Sequence, residues 1–436
     1  MARLKIPAGG RLPFELDRRQ ALAAAGALGA AALTGAAWQL WPEQGFSNPC
    51  EGALPDALAG HELVRAAWEG LDPSQCWDSH VHLAGMGDSD SGIVVNPRMT
   101  SLAHPVEFAQ RRFFLNAGCA TGGDGVDKAY VARLRALAEG MRPGFKLLLL
   151  PFECNVGENG EVSWERTSFH VPNRWAAQVA YRDVIRFEWA ASIHPYRRDA
   201  VERLHAAVAG GARAVKWLPA AMGIDPASPI CDPFYYALAR AKMPLISHAG
   251  MEMAVDVESD AFGNPLRLRR ALEHGVRVVV AHCASAGNDV DLDRGTNGPV
   301  VPSFELFARM MDDPRWEGTL FADISTLTQI NRVGPPLARV LERSEWHPRL
   351  LNGSDYPLPG VMPLYSLDRL VELGFLEPSA ATVLSAIRAH NALLFDFVLK
   401  RSLRRQGKRF ADGVFRTRAF FEPPLERPLR AGQHRA

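Results

Sequence analysis

The sequence predicts an α/β protein folded as a (β/α)₈ barrel, the TIM-barrel architecture, with a long insertion after strand one. Short apolar runs alternate with amphipathic helical segments along most of the chain, which is typical of strand–helix units around a parallel sheet. Eight such runs can be placed, and several carry a histidine, lysine or aspartate at or near the carboxyl end. Of the 436 residues, 47% are hydrophobic and 22% are charged. This ordinary globular composition leaves enough apolar material for one large barrel.

The apolar runs predict the strands, and the amphipathic segments between them predict the helices. The predicted strands cover residues 76–83, 146–152, 189–195, 214–218, 244–248, 276–282, 320–324 and 349–355. The predicted helices cover residues 58–68, 200–210, 233–242, 264–274, 300–311, 336–343, 364–373 and 379–400. The insertion, residues 83–143, begins as a Gly- and Asp-rich loop and adds predicted helices at 106–116 and 126–139. An insertion beside the first strand is expected to cover a substrate pocket.

The N-terminal segment, residues 1–41, is predicted to be an export signal peptide or a membrane anchor. The Arg18-Arg19 pair stands before the uncharged Ala/Leu/Gly-rich run 21–41, which is long enough for either role. The pair resembles a twin-arginine signal, so we expect a periplasmic protein or one anchored to the inner membrane. The alternative is a buried Ala-rich helix.

The remaining boundaries follow from composition. A Pro-rich connector is predicted over residues 42–74 and the barrel over residues 75–400. Residues 401–436 are rich in Arg and Pro and are predicted to be a basic, solvated C-terminal extension.

Net charge and cysteine spacing narrow the possible partners. The formal net charge of +1 gives no basic face for nucleic acid, so a small-molecule substrate is expected, with membrane association only through residues 21–41. The cysteines form no C-x-x-C pair, and buried thiols are the simplest interpretation, although an exported protein can join some of them. The six cysteines are Cys50, Cys76, Cys119, Cys154, Cys231 and Cys283.

A set of potential metal ligands stands at the ends of the predicted strands. His80 and His82 are two residues apart, so on a strand both imidazoles point to the same face. In a barrel the carboxyl ends of all strands face one mouth, which brings distant residues together. Imidazole and carboxylate donors suit zinc. The other polar residues at strand ends are Lys216, His248, His282 and Asp355.

With these residues in place, the chain resembles the amidohydrolase superfamily, in its amidohydrolase-related branch that begins with Asp-x-His-x-His. The resemblance extends over roughly residues 75–400 and is specific for fold and metal but not for substrate. The matching stretches are residues 77–82 (WDSHVH), 214–219 (AVKWLP), 244–250 (PLISHAG), 280–283 (VAHC), 352–357 (NGSDYP) and 391–395 (NALLF).

The resemblance implies a role for each of these side chains. His80, His82, His248 and Asp355 would bind a divalent metal, usually zinc, which lowers the pKa of water toward about 7. Asp355 would accept the proton of that water and pass it to the leaving group. His282 would polarise a carbonyl, orient the nucleophile or bind a second metal.

Lys216 decides between one and two metal ions in this interpretation. Carboxylated by carbon dioxide, it would bridge two ions, with His248 and His282 on the second. Unmodified, its ammonium would repel a nearby cation and would instead bind a substrate carboxylate or support the barrel. One ion is favoured.

Four further residues are candidates for substrate binding. His194 and Arg197 follow the third predicted strand, where a guanidinium can bind an acidic group. Glu252, four residues after His248, is a candidate partner for a ligand imidazole, and Trp217 a candidate pocket wall. Loop packing or a solvated charge explains each of the four equally well.

Together these features predict a metal-dependent hydrolase that cleaves a C–N or C–O bond of a small carbonyl compound. One alternative is a lyase of the same branch, a decarboxylase or hydratase, which would use the same ligands on an acidic substrate. The other is an envelope barrel that binds a ligand without catalysis. The substrate is determined by the loops, and their specificity does not follow from one sequence.

Overall fold

The computed structural model describes residues 42–121 and 125–422. The predicted export or anchor segment, residues 1–41, therefore lies outside the described residues, as does the end of the C-terminal extension, residues 423–436. Within the described ranges, no helix is both long enough and apolar enough to cross a membrane. A compact unit begins at Gln44 and contains the barrel.

Eight parallel strands form a closed ring. In chain order they are β1 (Trp77–His82), β2 (Lys146–Leu150), β3 (Phe187–Trp189), β4 (Val215–Trp217), β5 (Leu245–Ser247), β6 (Val278–Val280), β7 (Leu320–Asp323) and β8 (Leu350–Leu351). Strands β1–β3 pair in one sheet and β4–β8 in another. Parallel bridges join Ala191 to Val215 and Val81 to Tyr356, closing both seams. The predicted (β/α)₈ barrel is thus confirmed.

Helices surround the ring, and two short antiparallel pairs lie outside it. The longer α-helices are Glu62–Trp68, Pro105–Ala117, Val126–Glu139, Asn173–Arg182, Ala200–Ala209, Asp232–Arg240, Arg269–Glu273, Ser303–Asp312, Pro335–Glu342, Leu367–Glu372, Pro378–His390 and Ala392–Ser402. One-turn helices cover Asp56–Ala59, Pro219–Met222 and Arg418–Phe421. The antiparallel pairs join Val94–Val95 to Phe169–His170 and Asn288–Val290 to Val300–Pro302.

The region around the third strand differs from the prediction. Strand β3 ends at Trp189, where the predicted strand begins. The chain stays in the ring as far as Ala191, which bridges Val215. It then leaves the ring, because the Ser192 backbone N–H donates to the Asn173 side chain at 2.7 Å instead of to a strand. Asn173 begins a helix that was not predicted, Asn173–Arg182, which buries Trp175 among other residues.

Two predicted helices are shorter than expected, because in each an asparagine side chain caps a new helical turn. Asn391 accepts hydrogen bonds from the Leu393 and Leu394 backbone N–H groups, so the predicted helix 379–400 is divided in two at this residue. In predicted helix 264–274, Asn264 caps a 3₁₀ turn in the same way, and only Arg269–Glu273 is α-helical.

The C-terminal segment closes the amino-terminal end of the barrel. Phe421 stacks on Trp77, the first residue of β1, with ring centroids 6.1 Å apart, and packs with the apolar side chains inside the ring. Leu403, Val414 and Phe415 are fully buried. Residues 401–422 therefore differ from the predicted solvated extension, because their apolar side chains cover the barrel core. The opposite end, where the strands terminate, carries the site.

Candidate metal centre

Strands β1 and β8 bring three ligand-type side chains together at the mouth of the barrel. The Nε2 atoms of His80 and His82 are 3.2 Å apart, and Asp355 Oδ1 lies 3.3 Å from each of them. Gly353 permits this approach, because a Cβ atom there would lie 2.8 Å from the Cβ of His80. The structure thus gathers three of the four predicted metal ligands.

Asp323, the last residue of β7, fixes the orientation of His80. Its Oδ2 lies 2.9 Å from His80 Nδ1, and its pKa is far below the usual value, since His80 and His282 outweigh the effect of burial. An ionised carboxylate only accepts, so His80 Nδ1 carries the hydrogen and Nε2 presents a lone pair. A metal-ligating histidine is usually held by a carboxylate in this way.

The protonation states around this cluster suit a metal ion. Burial lowers the pKa of His82 to about 4, so its imidazole is neutral at pH 7. Burial would raise the pKa of Asp355, but His80 and His282 hold it well below its usual range. Neutral imidazole and ionised carboxylate are the forms that bind metals.

The spacing of the ligand atoms also fits an ion. Ligand atoms about 2.0–2.1 Å from a tetrahedral ion lie roughly 3.3 Å apart. The three distances among His80 Nε2, His82 Nε2 and Asp355 Oδ1 are 3.2–3.3 Å. Lone pairs that converge in a buried place need a cation or a shared proton between them. The donor set therefore fits one divalent metal.

His248, the fourth predicted ligand, lies beside the cluster rather than within it. Its ring centroid is 5.2 Å from that of His282, and Glu252 Oε2 lies 3.3 Å from its Nδ1. Its Nε2 is buried and has no hydrogen-bond partner among the described residues. Burial lowers its pKa to about 4, which keeps the ring neutral. His248 thus offers a neutral, unpartnered Nε2 atom as a potential metal ligand. Glu252 lies beside its ring, as the sequence predicts.

His282 faces Asp355 from the end of β6. Its Nδ1 lies 2.6 Å from Ser325 Oγ, and its Nε2 lies 3.6 Å from Asp355 Oδ2. The Ser325 hydroxyl donates to the ionised Asp323, so it accepts from His282 Nδ1–H and leaves Nε2 with a lone pair. Burial holds the pKa of His282 well below its usual value. In this state His282 is a hydrogen-bond acceptor.

Two residues of the site have left-handed backbone conformations. His282 has φ 57° and Asp355 has φ 60°, values that are uncommon for residues other than glycine. Hydrogen bonds hold both places, with the His282 N–H donating to Asp323 Oδ1 at 3.0 Å and the Asp355 N–H to the His80 carbonyl at 2.7 Å. Strained positions of this kind concentrate at functional sites.

Lys216, at the centre of β4, reaches the same cluster. Its Nζ lies 3.1 Å from His80 Nε2, and its side chain is buried. Burial lowers the pKa of Lys216, which favours the neutral amine. A neutral amine next to the cluster avoids the repulsion that an ammonium would exert on a metal ion.

The other predicted substrate-binding residues lie away from the cluster. The buried imidazole of His194 is occupied by the Met222 carbonyl at 2.8 Å and the Tyr196 N–H at 3.2 Å. Arg197 pairs with Asp199 at 3.3 Å. Trp217 is buried in the wall of the barrel and donates to the Ile193 carbonyl. None of the three lines the cavity above the cluster.

A cavity of about 280 Å³ opens directly above the cluster. Part of its wall comes from helix Pro105–Ala117, which lies between β1 and β2. The wall is mostly apolar, and the metal-type residues His82, His248, His282 and Asp355 form its base. Its apolar lining includes Phe113, Phe114, Phe152, Phe169, Leu218 and Val361. Such a cavity suits a small molecule with an apolar body.

Sequence reasoning missed two residues of the site, Asp323 and Arg332. Asp323 ends an apolar strand, as His248 and Asp355 nearly do, so its position alone would have indicated it. Arg332 lines the cavity and is 7% exposed. It follows the loop after β7, where no pattern in the sequence distinguishes a buried arginine from an exposed one.

One cysteine pair forms a disulfide. Cys50 and Cys119 are bonded and join the connector to the turn after helix Pro105–Ala117. The remaining four cysteines are buried thiols, as the simplest interpretation of the sequence has them.

Comparison with known proteins matches the chain to one family model, described as amidohydrolase, over residues 144–395. No curated protein matches the chain. Similar solved structures include an uncharacterised TIM-barrel protein from Bordetella bronchiseptica, with 14% identity, 71% of this chain and 98% of that chain covered, and a TM-score of 0.45. A putative 2-pyrone-4,6-dicarboxylic acid hydrolase from Pseudomonas putida has 18% identity, 75% and 99% coverage, and a TM-score of 0.39. A 2,6-dihydroxybenzoate decarboxylase from Rhizobium has 14% identity, 73% and 97% coverage, and a TM-score of 0.37.

Proposed function

The chain belongs to the amidohydrolase family, and we propose that it is a metal-dependent hydrolase that cleaves a C–N or C–O bond of a small carbonyl compound. One observation carries the proposal. Three ligand atoms, from His80, His82 and Asp355, converge at 3.2–3.3 Å at the base of an apolar cavity. His82 is neutral and Asp355 is ionised, the forms that metal binding requires.

His80, His82 and Asp355 would hold the ion, and His248 would supply a fourth donor through its unpartnered Nε2. The imidazole and carboxylate donors suit zinc, and we propose a single zinc ion. When bound, such an ion supplies Lewis acidity and lowers the pKa of water toward about 7. A second ion would require Lys216 to be carboxylated.

The side chains around the cluster have separate tasks in this reaction. Asp355 is placed to take the proton of the attacking water, since Oδ1 lies in the cluster and Oδ2 faces His282. His282 presents a lone pair at Nε2, so it accepts a hydrogen bond and orients the nucleophile. Polarising a carbonyl would need a hydrogen on Nε2, whereas the hydrogen bond to Ser325 places it on Nδ1.

A lyase reaction, above all decarboxylation, is the second candidate. It is favoured by the buried guanidinium of Arg332, which lines the cavity and suits a carboxylate. The same metal ligands would serve both reactions. A barrel that binds a ligand without catalysis is the third candidate, and it requires no bound metal.

Metal analysis and product analysis test these candidates in turn. We expect about one equivalent of metal in the purified, supplemented protein, and less than about half an equivalent would overturn both catalytic proposals. The metal-loaded protein would then be screened against small amides, esters, lactones and aromatic acids, with Asp355→Asn as the inactive control. Hydrolysis in heavy-oxygen water places the label in the product, whereas decarboxylation releases carbon dioxide and takes a hydrogen from solvent.

We also propose that the protein works in the cell envelope. The disulfide between Cys50 and Cys119 supports this location, because disulfides persist in oxidising compartments. Cell fractionation with thiol trapping tests it. We expect the protein in the envelope fraction with this pair oxidised, and a reduced pair in the cytosolic fraction would contradict the proposal.

A further inference from the structure

Arg332 is a buried cation on the wall of the cavity, and it forms no ion pair with any residue that the structure describes. Its side chain makes one hydrogen bond there, from Nη1 to Ser285 Oγ at 3.0 Å. Its Nε is buried and has no hydrogen-bond partner among the described residues. Ser285 lies three residues after His282, so the guanidinium stands close to the candidate reaction centre.

A buried guanidinium without an ion-pair partner is stabilised when an anion binds beside it. Burial lowers the pKa of Arg332, but an arginine in a protein remains protonated, so the charge persists. A buried charge without a partner is costly, and each N–H group without an acceptor adds to that cost.

The nearby carboxylates already have other partners. Asp355 lies in the cluster with the two histidines of β1. Glu252 contacts His248 Nδ1 at 3.3 Å and accepts from the Ala254 N–H at 2.5 Å. These acids lower the electrostatic cost of Arg332 without satisfying its N–H groups.

The rest of the cavity determines what kind of anion fits. Phe113, Phe114, Phe152 and Phe169 line it together with aliphatic side chains. Its volume, about 280 Å³, lies near the lower end of the range for small-molecule sites. The ligand therefore needs a compact apolar body in addition to an anionic group.

We infer that Arg332 binds the anionic group of the substrate, and that the substrate is a small carboxylate with an apolar, ring-sized body. This inference rests on the proposed function for the identity of the site, and it adds the residue that determines the substrate class. Arginine suits the task because its planar N–H groups match the two oxygens of a carboxylate. In a hydrolase the carboxylate would anchor the substrate, and in a decarboxylase it would be the reacting group.

Matched pairs of acids and amides test the inference on the metal-loaded protein. The probes are benzoate with benzamide and phenylacetate with phenylacetamide, which have nearly equal shapes and differ in charge. Binding is measured by calorimetry for the wild type and for Arg332→Gln. The wild type should bind each acid about tenfold or more tightly than its amide, the discrimination expected of hydrogen bonds to a charged group. Arg332→Gln should bring this ratio close to one.

Arg111→Gln is the matched control, because Arg111 also lines the cavity but its Nε donates to the Met99 carbonyl at 2.8 Å. This variant should keep the preference for the acid. A preference that survives in Arg332→Gln would mean that the metal holds the carboxylate and would overturn the inference. Equal binding of acid and amide by the wild type, including no binding of either, would overturn it as well.

A second variant keeps the test valid if Arg332→Gln does not fold. Arg332→Lys retains the charge but loses the planar pair of donors, so affinity for the acids should fall while affinity for the amides stays. An equal loss for both probes would count against the inference. Metal content, measured on the same samples, tests the proposed function separately, since the preference and the metal can be lost independently.

Discussion

Among the described residues, metal-type side chains gather in three sets, two of which share His80. They therefore make two separate groups, and one of the two has the features of a metal site. The first consists of His80, His82 and Asp355. The second consists of Glu153 and Cys154, which follow β2, and His170. In each group the ligand-type atoms lie within 4.8 Å of one another. Distance alone therefore does not separate them.

In the second group, Glu153 and Cys154 already bond to each other, while His170 Nδ1 has no hydrogen-bond partner among the described residues and lies 3.7 Å from Glu153 Oε1. Glu153 Oε1 accepts from both the backbone N–H and the thiol of Cys154, each at 3.0 Å. The Arg197 guanidinium lies 3.9 Å from the same carboxylate oxygen and 3.8 Å from the thiol sulfur. Burial, together with Glu153, raises the pKa of Cys154 to about 12, so the thiol is protonated and not a ligand at neutral pH.

The two groups differ in the protonation state of their side chains and in the basic residue beside them, and these differences separate a candidate metal site from a cluster that only resembles one. Each group has a basic neighbour, Lys216 for the first and Arg197 for the second. A buried lysine beside a metal ion can lose its proton and become neutral, whereas an arginine remains protonated. In the second group the guanidinium takes the place that a metal cation would occupy.

Removing one ligand from each group gives the largest expected effect. His80→Ala and Asp355→Asn should each weaken metal binding by more than about 100-fold, beyond the loss known for outer partners of ligands. Cys154→Ser and His170→Ala should leave the metal content unchanged. Metal content after dialysis against a weak chelator measures both, with circular dichroism as the folding control. Loss of metal in Cys154→Ser would reverse the comparison.

Asp323→Asn tests whether the orientation of His80 distinguishes the first group. The amide cannot hold His80 Nδ1–H as an ionised carboxylate does, so metal affinity should fall by about 10- to 100-fold. Competition with a chromophoric chelator measures the change. Asp232→Asn, which breaks a pair with Arg270 on the barrel exterior, is the control and should have no effect on affinity. An unchanged affinity in Asp323→Asn would mean that the tautomer of His80 does not depend on this carboxylate.

The sequence was sufficient for the barrel and for most of the first group. His80, His82 and Asp355 could be predicted because strand periodicity and the common direction of barrel strands bring them to one mouth. His248 could be placed at that mouth, but its offset from the three clustered side chains depends on where β5 ends.

The features that the sequence did not reveal depend on contacts between distant segments. The left-handed backbone at His282 and Asp355 is not marked by glycine, since it is held by hydrogen bonds to Asp323 and to His80. Arg332 is buried because a loop folds over the cavity, and a lone arginine in a sequence is more often exposed. Arg197 is a candidate for substrate binding by its position in the sequence, but in the fold it lies against Glu153 and Asp199.

The pH dependence of metal retention gives the smallest expected effect. Burial lowers the pKa of His82 and of His248 from the ordinary value of about 6.5 to about 4. Neutral imidazole is the binding form, and it persists as the pH falls until the lowered pKa is reached. Metal content should therefore be level from pH 7 to about 5 and fall toward pH 4.

The metal-free protein should behave differently over the same range. Unfolded histidines take up protons near pH 6.5, before the buried ones do, so its stability should decline as the pH falls from about 6.5 to 4. Urea unfolding with and without metal, at each pH, separates this decline from metal release. Half-release of metal above pH 6 in a protein that remains folded would show that the imidazoles titrate as exposed ones do. The buried imidazoles would then not stay neutral down to pH 5, and this difference between the first group and the second would be lost.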